Sequence, residues 1–355
     1  MLQSIKKIII VGLMVSCARP LPPVSEEPEE KGTWVEVLFR AGGEATKDSV
    51  SGSGAESAIG RWAVFAFDRE NGWYRYASSQ SGSDIPLKLL VGHYYRCFAI
   101  VNYPENGTGA FLPSSVRTAD DLTEKVAYLG DNGEGSLLMF GSADLIPTDT
   151  ELRTKTISVT RLVSRIDVTR VAVDFSARPQ LAAKTFTLRH IYITNTYRTT
   201  RYGEDYTYMQ LSNARASWYN SGGWHRGEAA EAGMDALLGK RNINAVITAD
   251  APYTSLSSFY AFPNATPASA DTHQLDVWEK RCTRIVLEAT LDGETCYYQV
   301  NVPAMERNHI YSASDIVILG RGSRDPEIID MPDDDALLIT VTWQDGWDQE
   351  DDVEI

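Results

Sequence analysis

Short apolar and aromatic runs, separated by polar turns, recur along the chain, and that pattern confines it to sheet folds. Thr33, Trp34, Val35, Val37, Leu38 and Phe39 make the first run; Trp62, Val64, Phe65 and Phe67 make the second. Leu87 to Val91 and Tyr94 to Asn102 follow. Ile157, Val159, Leu162 and Val163 lead into Ile166, Val168, Val171 and Val173. Further runs are Phe186 to Thr194, Ala245 to Thr248, Phe259 to Phe262, Ile285 to Leu291, Tyr297 to Val302, Ile310 to Leu319 and Leu337 to Trp343. Such β-branched and aromatic side chains suit a pleated, half-buried surface. Helical signals are few, with Ala119 to Ala127 and Glu228 to Leu238 the best candidates. Many strands joined by polar turns predict an all-β protein built of sandwiches.

The 355 residues exceed what one core usually holds, roughly 250, so two domains are expected. Pro179 and small residues interrupt the strands between Asp174 and Lys184. That places an N-terminal sandwich at residues 33–175 and a C-terminal one at 176–355, closing in a terminal strand and an acidic tail. A hydrophobic fraction of 43% excludes wholesale disorder. A formal charge of -15 argues against nucleic acid, whose phosphates need clustered Lys and Arg. His93, His190, His225, His273 and His309 are scattered without metal-ligand spacing, so neither a metal site nor a cofactor is expected. No Gly-x-Ser-x-Gly elbow or phosphate loop occurs, and no catalytic residue can be named.

The N-terminus reads as a processing signal. Lys6 and Lys7 precede Ile8 to Val15, an apolar stretch shorter than the about 20 residues a spanning helix needs. It ends in Leu13-Met14-Val15-Ser16-Cys17, which resembles a bacterial lipobox with Met14 where Leu is usual. This predicts a signal peptide over 1–16 and a lipid on Cys17. Residues 17–32, Pro-rich and acidic, read as a tether. Three further cysteines remain. Cys282 and Cys296 flank a hairpin turning at Asp292-Gly293, where Cys296 faces Ala289, so no local disulfide is expected; Cys97 reads as a buried thiol.

Four blocks carry a family resemblance. They are Glu56-Ser57-Ala58-Ile59 with Ala63 to Asp68, followed by Gly92-His93-Tyr94-Tyr95 and Ala99-Ile100-Val101-Asn102; Leu138-Met139-Phe140-Gly141 with Ile157 to Ile166; Phe259 to Asn264; and Glu306-Arg307-Asn308-His309-Ile310-Tyr311 with Gly320 to Ser323 and Leu337 to Trp347. Together with the lipobox they resemble the fimbrillins of Bacteroidales, subunits of type V pili. The resemblance implies two tandem β-sandwich domains of transthyretin-like topology. It also implies a surface-exposed outer-membrane lipoprotein of a fimbrium, with other fimbrial subunits as partners and assembly by strand exchange. In polymerising fimbrillins an arginine-specific protease cuts the loop after the first strand, which then leaves its groove.

Here the first strand would be Thr33 to Phe39 and the loop Arg40 to Gly54. Arg40 is then either a cut site or a solubilising charge on an edge strand; Lys47 is the loop's only other basic residue. Leu337, Leu338, Ile339, Val341 and Trp343 read as a donor strand or as the last strand of the second domain. Asp348, Glu350, Asp351, Asp352 and Glu354 after it make a poor donor for an apolar groove. An uncut first strand and a retained lipid favour an anchor or accessory subunit. The alternative is a surface lipoprotein that holds a glycan or host protein on exposed aromatics. Trp73, Tyr74 and Tyr76 are one candidate set; Tyr197, Tyr202, Tyr206, Tyr208, Trp218, Tyr219 and Trp224 are another.

Overall fold

A computed structural model describes residues 32–43, 54–107, 109–133, 135–148, 154–203, 239–266, 282–326 and 339–346. Strands dominate these residues, and the order of their pairings defines two sandwiches. The first uses β1 (Trp34–Gly43), β2 (Trp62–Asp68), β3 (Tyr74–Ser79), β4 (Ile85–Leu90), β5 (Tyr95–Val101), β6 (Val126–Tyr128), β7 (Met139–Leu145) and β8 (Thr154–Arg161). The second uses β9 (Ser164–Val168), β10 (Val171–Val173), β11 (Phe186–Thr194), β12 (Thr199–Arg201), β13 (Arg241–Ile247), β14 (Ser257–Ala261), β15 (Arg284–Leu291), β16 (Glu294–Asn301), β17 (Ile310–Ile318) and β18 (Ile339–Gly346). By pairing, β6 and β12 belong to neither sandwich sheet but form a two-stranded sheet with each other, and two short helices, α1 (Ala119–Thr123) and α2 (Pro179–Ala182), complete the pattern.

In the first sandwich the hydrogen-bonded order is β3-β2-β5-β7-β8-β1-β4. β7 and β8 share only the pairs Met139↔Arg161 and Phe140↔Thr160, so the sheet folds over at this seam. Between the two halves lies one apolar core, with Val37 and Phe39 of β1, Trp62 and Val64 of β2, Leu89 of β4 and Cys97 of β5. Burial pushes the Cys97 thiol up to about 12, so it stays protonated. The other face of β2, β5 and β7 is also covered. Phe65, Phe98 and Phe140 pack under the connection that carries Phe111, Leu122 and Leu129, and this cluster runs on into the second core. Burial on both faces is why β2 reads as an unbroken apolar run rather than an alternating one.

The second sandwich packs β13-β11-β15-β16 against the sheet of β14, β9, β17 and β18. β9 and β10 lie one after the other along the same side of β17, both parallel to it, and β17 carries β18 on its other side. Ser164 to Val173 therefore belong to the second set of sheets, and the changeover in pairing falls at Leu162-Val163, upstream of the interruption at Pro179. The β15–β16 hairpin turns at Asp292-Gly293 with Cys296 opposite Ala289, and Cys97, Cys282 and Cys296 form no disulfide. The helix expected over Ala119 to Ala127 ends at Thr123, capped at its start by Thr118 and Asp121, and β6 follows at once. Glu228 to Leu238 lie outside the described residues.

Gly141 marks the seam of the first sandwich. A Cβ there would stand 1.9 Å from the carbonyl oxygen of Ser158 on β8. Gly141→Ala should therefore force β7 and β8 apart, costing about 1–3 kcal/mol by the usual penalty for overpacking. Urea denaturation of the variant beside the parent would read this as a lower midpoint at unchanged slope.

Candidate strand groove and inter-sandwich junction

β1 occupies the middle of a sheet. It runs antiparallel to β4 from Trp34↔Leu90 to Phe39↔Ile85 and parallel to β8 from Leu38↔Thr154 to Gly43↔Val159. Val37 and Phe39 are fully buried, while Glu36 and Arg40 face solvent. Each of those two apolar side chains contributes about 1.5–3 kcal/mol of burial. Without β1, β4 and β8 would border an apolar groove with two unpaired backbone edges.

This arrangement corrects two expectations. β1 is not an edge strand, and it does not stop at Phe39 but continues through Arg40 to Gly43. Arg40 thus lies inside a paired strand, opposite Thr156 of β8. Its guanidinium grips Asp84 in two hydrogen bonds, Nε to Oδ1 at 3.1 Å and Nη2 to Oδ2 at 2.8 Å. That contact holds the Asp84 carboxyl below its usual range. A protease needs an extended, accessible segment, and this peptide must leave β8 before it can be cut. Residues 44–53, including Lys47, lie outside the described residues, as does Cys17.

At the terminal strand, β18 spans Ile339–Gly346 and so runs past Trp343; Leu337 and Leu338 lie outside the described residues. It pairs antiparallel with β17 of its own chain, from Ile310↔Gly346 to Ile318↔Ile339. Ile339, Val341 and Trp343 pack against the second core, while Thr340 and Thr342 face outward.

Residues from all four resemblance blocks meet at one place, the junction between the sandwiches. Glu56 sits on a short 3-10 turn just beyond the loop that follows β1, and its carboxylate is buried. Oε2 accepts from Arg165 Nη1 at 2.8 Å, and Oε1 accepts from the Tyr260 hydroxyl. Arg165 also donates from Nε at 3.1 Å and Nη2 at 2.9 Å to Asp167 Oδ2, whose Oδ1 accepts from Ser258 at 2.7 Å. β9 and β14 set this geometry, since Arg165 lies directly opposite Tyr260 and Asp167 opposite Ser258. Burial pushes the Asp167 carboxyl up, against the pull of Arg165. Burial opposes the Arg165 charge too, yet Asp167 and Glu56 together hold its pKa above the usual value.

The fourth block closes the junction from the other side. Arg161 donates to the Glu56 carbonyl at 3.0 Å and to Asn308 Oδ1 at 2.9 Å. Arg307 donates to Tyr202 O at 2.9 Å and to Thr200 Oγ1 at 3.1 Å, fixing β12 where it pairs with β6 of the first sandwich. Asn102 holds the turn after Glu56, donating to Ala58 O and accepting from Gly60 N. The sequence of these blocks does not announce that they meet. The available signal was charge, as Glu56, Arg165 and Asp167 stand beside apolar residues that must be buried.

Among the described residues, three of the aromatics proposed for ligand binding are part of the core. Trp73, Tyr197 and Tyr202 are buried, and Trp73 packs on Tyr95 and Trp34. Tyr76 is 38% exposed but stacks on Phe65. Tyr206, Tyr208, Trp218, Tyr219 and Trp224 lie outside the described residues. Among the described residues no cluster of His, Cys, Asp and Glu could hold a metal ion.

No family model matches the chain, and no curated protein matches it in sequence. Solved structures do match. A candidate cell adhesion protein from Bacteroides eggerthii aligns over 89% of this chain and 95% of its own, at TM-score 0.59 and 14% identity. One from Parabacteroides distasonis aligns over 89% and 97%, at TM-score 0.56 and 16% identity. A fimbrilin (FimA) from Porphyromonas gingivalis aligns over 89% and 97%, at TM-score 0.54 and 15% identity. The chain therefore has the fimbrillin fold, two tandem β-sandwiches.

Breaking the junction should be costly. Arg165→Met leaves Glu56 and Asp167 buried without their cation, a loss of about 3–5 kcal/mol. Glu56→Gln keeps an acceptor for Tyr260 and should cost less. Chemical denaturation of both variants checks the order; equal stabilities would show that the guanidinium is not the centre of the network.

Proposed function

We propose that this protein is a structural subunit of a type V fimbrium, held at the outer membrane by a lipid on Cys17 and joined to other subunits by strand exchange. The observation that carries the reading is β1, a strand with its own apolar residues seated between β4 and β8 in a fold shared with a fimbrilin. Such a seat can take another strand of the same alternation, which restores both ladders and both core contacts at once.

An anchor or accessory position is favoured over the shaft. Arg40, the one arginine near the loop, is locked in a ladder and in the Asp84 pair. β18 already completes its own sheet, and the acidic residues after it suit solvent better than a groove. A retained β1 keeps the tether, and so the lipid, joined to the folded body. Adhesion then follows from the position of the subunit at the cell surface, with other subunits as its first partners.

Mass spectrometry of the protein from outer membranes of its native host tests this. The expected mature chain begins at a lipidated Cys17. A chain beginning at Ala41, or elsewhere before Gly54, would sink the anchor reading and make this a subunit that accepts a neighbour's strand.

A further inference from the structure

The places where the chain enters and leaves each sandwich determine how tension would pass through it. In the first sandwich β1 and β8 are parallel neighbours, so their direction of travel is the same. The chain enters β1 at Trp34 and leaves β8 at Arg161, at opposite ends of the pair. A pull on Thr33 against the second sandwich draws the two strands past each other along their length. Hydrogen bonds in a parallel pair are evenly spaced, so the six register positions share the load. β4 grips the other edge of β1 over six more, from Trp34↔Leu90 to Phe39↔Ile85. β1 can slide only when both ladders fail together and Val37 and Phe39 leave the core.

The second sandwich is loaded in a different sense. The chain enters it on β9, where Arg165 stands opposite Ile310 of β17. It leaves by β18, whose Gly346 also stands opposite Ile310. Entry and exit therefore meet at the same end of β17. A pull through the C-terminus lifts β18 from that end, and its pairs open in turn from Gly346↔Ile310 to Ile339↔Ile318. Among the described residues β18 has one ladder, to β17, and its inward side chains Ile339, Val341 and Trp343 are only partly buried.

We propose that the fold grades its response to tension: β1 and β8 form a shear clamp that carries load from the N-terminal end, and β18 is the element that yields first, baring the outer edge of β17. Peeling opens one pair at a time, each net hydrogen bond contributing only about 0.5–1.5 kcal/mol, whereas the clamp must lose its pairs together. The source of tension in the cell rests on the anchored-subunit reading; the mechanics rest on strand direction alone.

Optical tweezers on the chain from residue 18 to residue 355, with handles at its two ends, would test this. The expected trace starts with a small event at a force several-fold below that of the main rupture. Its length gain should not exceed the chain beyond Asp325 at roughly 3.3–3.6 Å per residue. Val317 and Thr340 lie opposite each other across the β17–β18 ladder. Val317→Cys with Thr340→Cys, oxidised and verified by mass, should halt the peel at Thr340 and cut the length gain to the short stretch between Thr340 and Gly346, and reductant should restore the full gain. Moving the first handle to residue 43 loads β1 from the Val159 end, and the rupture force of the first sandwich should then fall several-fold. A first event that frees β1, or a first-sandwich force indifferent to handle position, would overturn the proposal. A native chain found cut before Gly54 would remove the anchor reading and leave these measurements on the uncut chain standing.

Discussion

The double pairing of β1, antiparallel to β4 and parallel to β8, joins parts of the first sandwich that are far apart in sequence. Phe39 lies beside Ile85 on one side and Lys155 on the other. The strand closes the three-stranded half of the sandwich and places Val37 and Phe39 opposite Trp62, Val64 and Cys97. Its interior position also explains the Arg40–Asp84 pair, which forms where β1 passes the start of β4. A strand at a sheet margin could be trimmed with little loss. One in the middle leaves two open edges and an uncovered core, so the sandwich needs this strand or a substitute for it.

The junction depends on another kind of constraint. A guanidinium held between two buried carboxylates adds little stability over an apolar packing of the same volume, because all three groups lose their hydration. What the arrangement specifies is position. Glu56 comes from the turn beyond the β1 loop, Arg165 and Asp167 from β9, and Tyr260 and Ser258 from β14. Each hydrogen bond is satisfied in only one docking of that turn on the outer face of β9 and β14. Arg161 and Asn308 repeat the logic on the neighbouring surface, so the turn is fixed from two directions.

Much of this was legible in the chain. The apolar runs marked most of the strands, and the β15–β16 register, down to Cys296 opposite Ala289, followed from the position of its turn. The failures have physical causes. Ala41-Gly42-Gly43 reads as loop because it lacks bulk, yet the small residues let β1 lie close to β8; a Cβ on Gly42 would sit 3.0 Å from the Thr156 methyl. β3 and β12 are polar and short, without an apolar signal. The pairing changeover at Leu162-Val163 has no Gly, Pro or polar break to announce it. The Glu56 network joins residues more than a hundred positions apart, and its alternation of charged and apolar residues on β9 looks like a strand with one face in water.

That changeover has one more implication. Leu162 and Val163 are the whole link between β8 and β9, and both are completely buried. Leu162 N donates to Leu138 O of the first sandwich, and Val163 O accepts from Asn308 N of the second, so the link is hydrogen-bonded into both bodies. A flexible elbow needs exposed backbone that can change its dihedrals without uncovering apolar surface. This one would have to expose two large side chains and break both bonds. Bending of one sandwich against the other at this link is therefore coupled to uncovering core, and cannot occur as the free swing of a linker.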